Sequence, residues 1–303
     1  MRHLTKTQQF TRASLQQLFE LADRLEKEPD DSLKGKILAS LFYEPSTRTR
    51  FSFESAMMRL GGNVLSMESA SQSSSANKGE TIEDTIRVVN HYADIIVLRH
   101  PESGASERAA KVSNIPVINA GDGAGQHPTQ ALLDLYTIYR ELPKVDGIHM
   151  AIIGDLRYGR AARSIAYLLG KYKDIHFTLV SSPELRMSDD VKDYLKRHNI
   201  TFEETESLEK AMKSVDVVYQ TRVQKERFPS EAEYLRFKGQ YIIDRRLADG
   251  MKEGAIIIHP LPRVGEIESE VDDSPHAVYF KQAFYGFLVR KALLKTMLSG
   301  KKS

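Results

Sequence analysis

An apolar run from Ile37 to Phe42 is followed at once by Tyr43-Glu44-Pro45-Ser46-Thr47-Arg48-Thr49-Arg50, and then by a helical pattern with Phe53, Met57 and Leu60 on one side and Gly61-Gly62 as its stop. The run reads as a buried strand delivering the chain into a helix. The same handover recurs. Strands are expected at 36–42, 63–67, 94–98 and 116–119, with helices at 51–60, 81–92 and 103–111 between them. An amphipathic helix at 15–25, capped by Ser14 with Gln17 completing the box, precedes the series. Strands interleaved with helices specify a largely parallel, helix-covered sheet.

A second cycle begins near Gly147. Strands are expected at 149–153, 176–180, 215–219, 241–243 and 255–258, with helices at 159–169, 184–198 and 208–213. A helix at 129–142 links the halves, and an apolar helix at 283–297 packs back onto the body. The fold class is therefore α/β: two domains with parallel β-sheets flanked by helices, and a C-terminal helix returning to the N-terminal domain. The expected boundaries are 1–135 with 284–303 for the first domain and 136–283 for the second.

Composition narrows the function classes. In 303 residues, 43 Lys and Arg face 41 Asp and Glu, a formal charge of +2. A nucleic-acid-binding domain would show a basic excess, so nucleic acid is not an expected partner. The chain has no Cys, which excludes disulfides, a thiolate nucleophile and cysteine-ligated zinc. No secretory signal opens it, and its apolar runs are too short for a bilayer, so the expectation is a cytoplasmic protein with no membrane partner.

Several segments carry chemistry. Ser46-Thr47-Arg48-Thr49-Arg50 gathers hydroxyls, two arginines and first-turn N–H groups where a strand becomes a helix, an arrangement suited to a phosphoryl group. Arg48 and Arg50 point different ways on a helix, so one can reach the ligand while the other serves a structural pair. An ordinary capped helix with surface arginines is the plain alternative. Residues 119–130 place three glycines before His127 and Gln130 at a helix start. The positive helix end opposes an imidazolium there, and a neutral ring can donate to a carbonyl oxygen. His127 lacks partners at metal-ligand spacing, so no metal is expected. Arg99-His100-Pro101 ends a strand, where sheets of this kind keep their ligand crevice. In the second half, Gly154-Asp155-Leu156-Arg157-Tyr158-Gly159-Arg160 does not fit a dinucleotide fingerprint, and Arg160 reads better as an anion contact. Arg222 and Gln224 suit an acid group beside an amide-like interaction. His259-Pro260-Leu261-Pro262 can aim the carbonyls of Pro260 and Leu261 at an amine.

On these residues the chain resembles the aspartate and ornithine carbamoyltransferases. The segments 42–50, Arg99-His100-Pro101 and His127-Pro128-Thr129-Gln130 are similar to motifs shared by the family. Thr221-Arg222-Val223-Gln224-Lys225-Glu226-Arg227 and His259-Pro260-Leu261-Pro262 resemble the aspartate branch; the Ser-Met-Gly loop and His-Cys-Leu-Pro segment of the ornithine branch are absent. The resemblance runs from about Phe10 to the last helix. It implies that the first domain binds carbamoyl phosphate and the second L-aspartate.

Residue by residue, the resemblance implies that Ser46, Thr47, Arg48 and Thr49 bind the phosphate and that Arg99 reaches phosphate and carbonyl oxygen. Thr49 and His127 would polarise the carbonyl, and Gln130 would hold the carbamoyl amine. Arg160, Arg222 and Gln224 would bind the carboxylates of aspartate, and Pro260 and Leu261 would accept from the amines. Lys78 and Ser74, or a serine beside it, would come from a neighbouring subunit of a homotrimer with shared sites. Glu44 would pair with Arg160 and Arg227 across the domain gap. The resemblance implies no cofactor and leaves a zinc-bearing regulatory chain as a possible further partner. Two rivals remain: a carbamoyltransferase acting on ornithine or a relative of it, and a phosphate-ligand binding subunit without chemistry. The acid-binding character of Arg222 and Gln224 disfavours the first, and His127 beside the phosphate loop disfavours the second.

Overall fold

The computed structural model describes residues 2–68, 78–225 and 228–299. The chain forms two compact units, residues 1–133 with 283–303 and residues 134–282. Each is a parallel sheet flanked by helices, as the alternation of short apolar runs and helical patterns predicts.

The first unit holds β1 (Ile37–Phe42), β2 (Asn63–Glu68), β3 (Ile95–His100) and β4 (Val117–Asp122), ordered β2-β1-β3-β4. Every pairing is parallel. The chain leaves β1 for one neighbour and later returns on its other side. This reversal opens a crevice beyond the carboxyl ends of β1 and β3. Helix α1 (Arg12–Lys27) buries Leu15, Leu18, Phe19, Ala22 and Leu25. It starts earlier than the periodicity predicts: Thr11 is the cap and Ser14 completes the box, because the hydroxyl of Thr11 accepts from Ser14 N. Helices α2 (Thr47–Met58), α3 (Ile82–Val89) and α4 (Ala105–Val112) follow their strands. Glu54 of α2 accepts from Ser40 of β1 at 2.9 Å and from Ser66 of β2 at 2.6 Å, pinning the helix to the sheet.

Helix α5 (Pro128–Glu141) carries the chain into the second unit, whose strands are β5 (His149–Ile153), β6 (His176–Val180), β7 (Thr201–Thr205), β8 (Val217–Gln220) and β9 (Ile256–Ile258). Their order is β7-β6-β5-β8-β9, again parallel, with the switch point at β5 and β8. Between them run α6 (Arg160–Leu169), α7 (Asp189–Arg197), α8 (Leu208–Met212), α9 (Glu231–Phe237) and α10 (Arg245–Asp249). One core lies among Ala151, Ile153, Val218, Ile257 and the buried residues around α8 and α10.

The second unit also corrects the sequence reading. Segment 241–243 is not a strand: Ile243 makes an isolated bridge to Ile267. The single helix expected over 184–198 is a short turn, Pro183–Leu185, followed by α7. Strand β7 went unseen because its residues are partly or fully exposed, as expected of a sheet edge, and lack an apolar run. The final helix α11 (Tyr279–Ser299) is longer than predicted. Its later residues pack on α1 and α2: Arg290 donates to Ser52 Oγ at 2.7 Å, and Lys291 Nζ donates to the Leu25 carbonyl at 2.8 Å. No described helix is long and apolar enough to cross a membrane.

Candidate active site

In the first unit, the chemistry-bearing residues gather at the carboxyl end of the sheet. Phe42 is in register with Arg99, and Tyr43 N donates to the Arg99 carbonyl at 2.9 Å. The turn after β1 is thereby tied to the end of β3. Gly123 N donates to the His100 carbonyl at 2.9 Å, which ties in the turn after β4. Ser46 is the N-cap of α2 yet makes no side-chain capping bond, and the first turn has no acidic residue. The hydroxyl is thus not spent on the cap, and first-turn N–H groups face the crevice end of β1. Thr49 is buried, whereas Arg48 is exposed near the start of the helix, where the helix field opposes a cation. Arg50 takes the structural role: its Nη2 pairs with Glu68 Oε2 at 2.8 Å. Arg99 Nε lies 3.4 Å from Glu44 Oε2, an ion pair inside this unit.

His127 is buried just before α5, where its carbonyl accepts from Gln130 N at 3.0 Å and Ala131 N at 3.2 Å. Its Nδ1 is 3.4 Å from Thr129 Oγ1, and Gln130 is buried one turn on. Asp122 builds this loop and was overlooked in the sequence. Its carboxylate accepts from Gln126 N and from Gly104 N, both at 3.0 Å, so one buried side chain braces the turns after β3 and β4. Gly123 has φ +48°, and a Cβ there would meet the Pro101 carbonyl at 2.6 Å, so only glycine fits. Lys78 is exposed in the turn before α3. Ser74 and Arg227 lie outside the described residues.

In the second unit, Arg160 is buried as the first residue of α6, again with no acidic residue in the first turn. Arg222 and Gln224 follow β8 and are half-buried. Gly154 has φ +111°, and a Cβ would meet the Thr221 carbonyl at 2.4 Å, so the turns after β5 and β8 touch through bare backbone. The buried carboxylate of Asp155 joins them. It accepts from Tyr158 N at 2.9 Å and is also stabilised by the backbone N–H groups of Arg157 and Gln224. Burial outweighs these bonds and raises its carboxyl from 3.8 to about 6.

Pro260 and Leu261 follow β9, with Leu261 at φ +52° and a cis bond to Pro262. Positive φ at a leucine is strained and survives only where neighbours enforce it. Leu261 N donates to His259 Nδ1 at 2.8 Å, and His259 Nε2 meets Glu266 Oε1 at 2.8 Å. Since Nδ1 must accept, the proton sits on Nε2 and the ring is neutral. His259 N in turn donates to Gln282 Oε1 at 2.9 Å. Gln282 Nε2 donates to buried Asp134 at 2.6 Å, and Tyr219 donates to the other oxygen of Asp134 at 2.7 Å. This buried polar network holds the loop of Pro260 and Leu261. Its members are scattered along the sequence, so motif reading found only His259.

Comparison with known proteins identifies the family. Residues 2–140 match the family description "Aspartate/ornithine carbamoyltransferase, carbamoyl-P binding domain", and residues 146–297 match "Aspartate/ornithine carbamoyltransferase, Asp/Orn binding domain". A chloroplastic aspartate carbamoyltransferase of Pisum sativum is 53% identical, over 97% of this chain and 77% of its own. The crystal structure of the catalytic subunit of M. jannaschii aspartate transcarbamoylase superposes with TM-score 0.91 at 50% identity, covering 100% of both chains. An aspartate transcarbamoylase from Trypanosoma cruzi, in complex with carbamoyl phosphate and aspartate, does so with TM-score 0.91 at 42% identity, over 97% of this chain and 95% of its own. This chain belongs to the aspartate/ornithine carbamoyltransferase family.

Proposed function

We propose that the chain is an aspartate carbamoyltransferase. It transfers the carbamoyl group of carbamoyl phosphate to the amino group of L-aspartate, giving N-carbamoyl-L-aspartate and phosphate, a step of pyrimidine biosynthesis. The observation that carries this reading is the pair of helix starts, α2 with Arg48 and α6 with Arg160, where cations stand against the helix field beside strand ends. The first suits a phosphate and the second a carboxylate.

In the reaction, the aspartate amine attacks the carbamoyl carbon to form a tetrahedral species. The C–O bond to phosphate then breaks, and the departing phosphate takes the amine proton. Ser46, Thr47, Arg48 and Thr49 hold the phosphate. Arg99, Thr49 and His127 receive the charge that develops on the carbonyl oxygen, and Gln130 holds the carbamoyl amine. Pro260 and Leu261 accept from the amines through their carbonyls. Arg160, Arg222 and Gln224 hold the aspartate carboxylates. Such contacts accelerate the reaction insofar as they strengthen in the transition state. No step calls for an activated side-chain nucleophile. A product assay comparing aspartate with ornithine tests the reading: carbamoyl-aspartate should form, and citrulline formation in its place would overturn it.

The family resemblance further supports a homotrimer in which Lys78, with Ser74 or a neighbouring serine, serves the site of the next subunit. Mixing Lys78→Ala and Arg48→Ala proteins under subunit exchange should restore activity that neither has alone. Verified exchange without recovery would sink the shared site. Sedimentation of protein from its native source decides whether a zinc-bearing regulatory chain also binds. The assigned compartment is the cytoplasm, to be checked by fractionation.

A further inference from the structure

His149 and His176 open the neighbouring parallel strands β5 and β6 and are paired in register. On β7, Thr201 pairs with His176 and Glu203 pairs with Thr178. Side chains alternate along a strand, so His149, His176, Thr178, Thr201 and Glu203 all leave the same face of the sheet. The two imidazoles are 4.5 Å apart, edge to face. One ring nitrogen from each histidine and a carboxylate oxygen of Glu203 lie within 4.8 Å of one another.

Hydroxyl groups orient these side chains. Thr178 Oγ1 donates to Glu203 Oε1 at 3.1 Å, so that oxygen must accept from His149 Nε2, 2.7 Å away. The proton of His149 is thereby placed on Nε2, and Nδ1 keeps its lone pair. His176 Nδ1 is held by Thr201 Oγ1 at 2.8 Å, which leaves Nε2 as the other donor atom. Hydrogen bonds of this kind to the second ring nitrogen are what fix ligating histidines in metal sites. Of the surrounding charges, Asp216 accepts from His149 N at 2.7 Å and is paired with Lys252 at 2.7 Å, so the lysine is largely offset.

We propose that His149, His176 and Glu203 form a binding site for a divalent transition-metal ion of the zinc type, apart from the carbamoyl-transfer site. Two imidazoles and one carboxylate suit zinc or cobalt, with solvent completing the coordination, whereas calcium and magnesium favour oxygen donors throughout. The site sits at the amino ends of β5 and β6, while Arg160, Arg222 and Pro260 follow the carboxyl ends of β5, β8 and β9. A bound ion would clip edge strand β7 to β6, its neighbour, and to β5 beyond it. Spacing along the chain gives no hint of the site, because strand register alone assembles it.

Chelator-stripped protein should be titrated with Co2+, followed by visible d–d absorption, and with Zn2+, followed by calorimetry. The expected result is one saturable equivalent with a tetrahedral or five-coordinate cobalt spectrum. His176→Gln and Glu203→Gln should each weaken binding by roughly tenfold or more. His127→Ala should bind cobalt as the parent does, and the stripped parent should keep its carbamoyl transfer. Zn2+ should raise the unfolding temperature of the parent more than that of His176→Gln, with circular dichroism confirming that the variants fold. Absence of a stoichiometric cobalt site in the parent, or unchanged affinity in both folded variants, would overturn the proposal.

Discussion

The imidazole of His259 joins the carboxylate of Glu266, 2.8 Å from Nε2, to the backbone N–H of Leu261, 2.8 Å from Nδ1. Glu266 stays charged. Its burial pushes the pKa up, but hydrogen bonds from His259 and from Val264 N outweigh that and hold it below the usual carboxylate range. The carboxylate therefore selects the histidine tautomer that can receive Leu261 N. Glu266→Gln can offer its amide N–H instead of an acceptor, so the ring loses its orientation. The turnover number should fall by about 10- to 100-fold, as expected when a reacting group is misplaced by about 1 Å. Steady-state kinetics on protein with a native circular dichroism spectrum checks this; unchanged turnover would free Pro260 and Leu261 from dependence on the network.

Arg48→Ala should lower the maximal rate by more than about a hundredfold, since a preorganised charge near developing phosphate acts mostly on the transition state. His127→Ala should cost less, because Thr49 and Arg99 still serve the same oxygen. Rates at saturating substrate decide the matter. A loss for His127 equal to that for Arg48 would recast the histidine as a general base.

Arg222→Ala should chiefly raise the aspartate KM and leave carbamoyl-phosphate affinity almost unchanged. Gln224 remains in place, held through its backbone N–H by Asp155. Calorimetry with carbamoyl phosphate, alongside an aspartate saturation curve, separates the two ligands. Selective loss of carbamoyl-phosphate binding would reassign the arginine.

Asp155 makes a pH signature. Its carboxyl rises from 3.8 to about 6 on folding, chiefly through burial. Between those values the folded chain keeps a proton that the unfolded chain has lost, so this group's contribution falls as pH rises and levels off above about 6. Relative to Asp155→Asn, the parent should lose up to about 3 kcal/mol between pH 3.5 and 7. Urea unfolding across that range measures it, and a pH-independent difference would show the carboxyl to be unshifted.

Strands buried on both faces, such as β1, β3 and β5, could be read from the sequence because their apolar runs leave no other reading. Strand β7 could not: Thr201, Glu203 and Glu204 are polar, and β-pairing to β6 rather than composition makes the segment a strand. The site followed the same rule. Ser46 to Arg50, Arg99, His127 and Arg222 lie in short continuous segments with a recognisable chemistry. Asp122, Asp155, Glu266 and Gln282 act by bracing distant turns, and their roles exist only once the sheets bring those turns side by side.

Neither α2 nor α6 carries an acidic residue in its first turn, although α2 has Arg48 there and α6 has Arg160. Anionic ligands bound at these helix ends add to the stability of the fold, and the protein without them is the less durable form. A ligand at a hundred times its dissociation constant adds about 2.7 kcal/mol against unfolding. Substrate supply then governs more than flux. In a starved cell, the empty protein would open more often and reach proteases sooner, so the abundance of the catalyst would track the abundance of what it consumes.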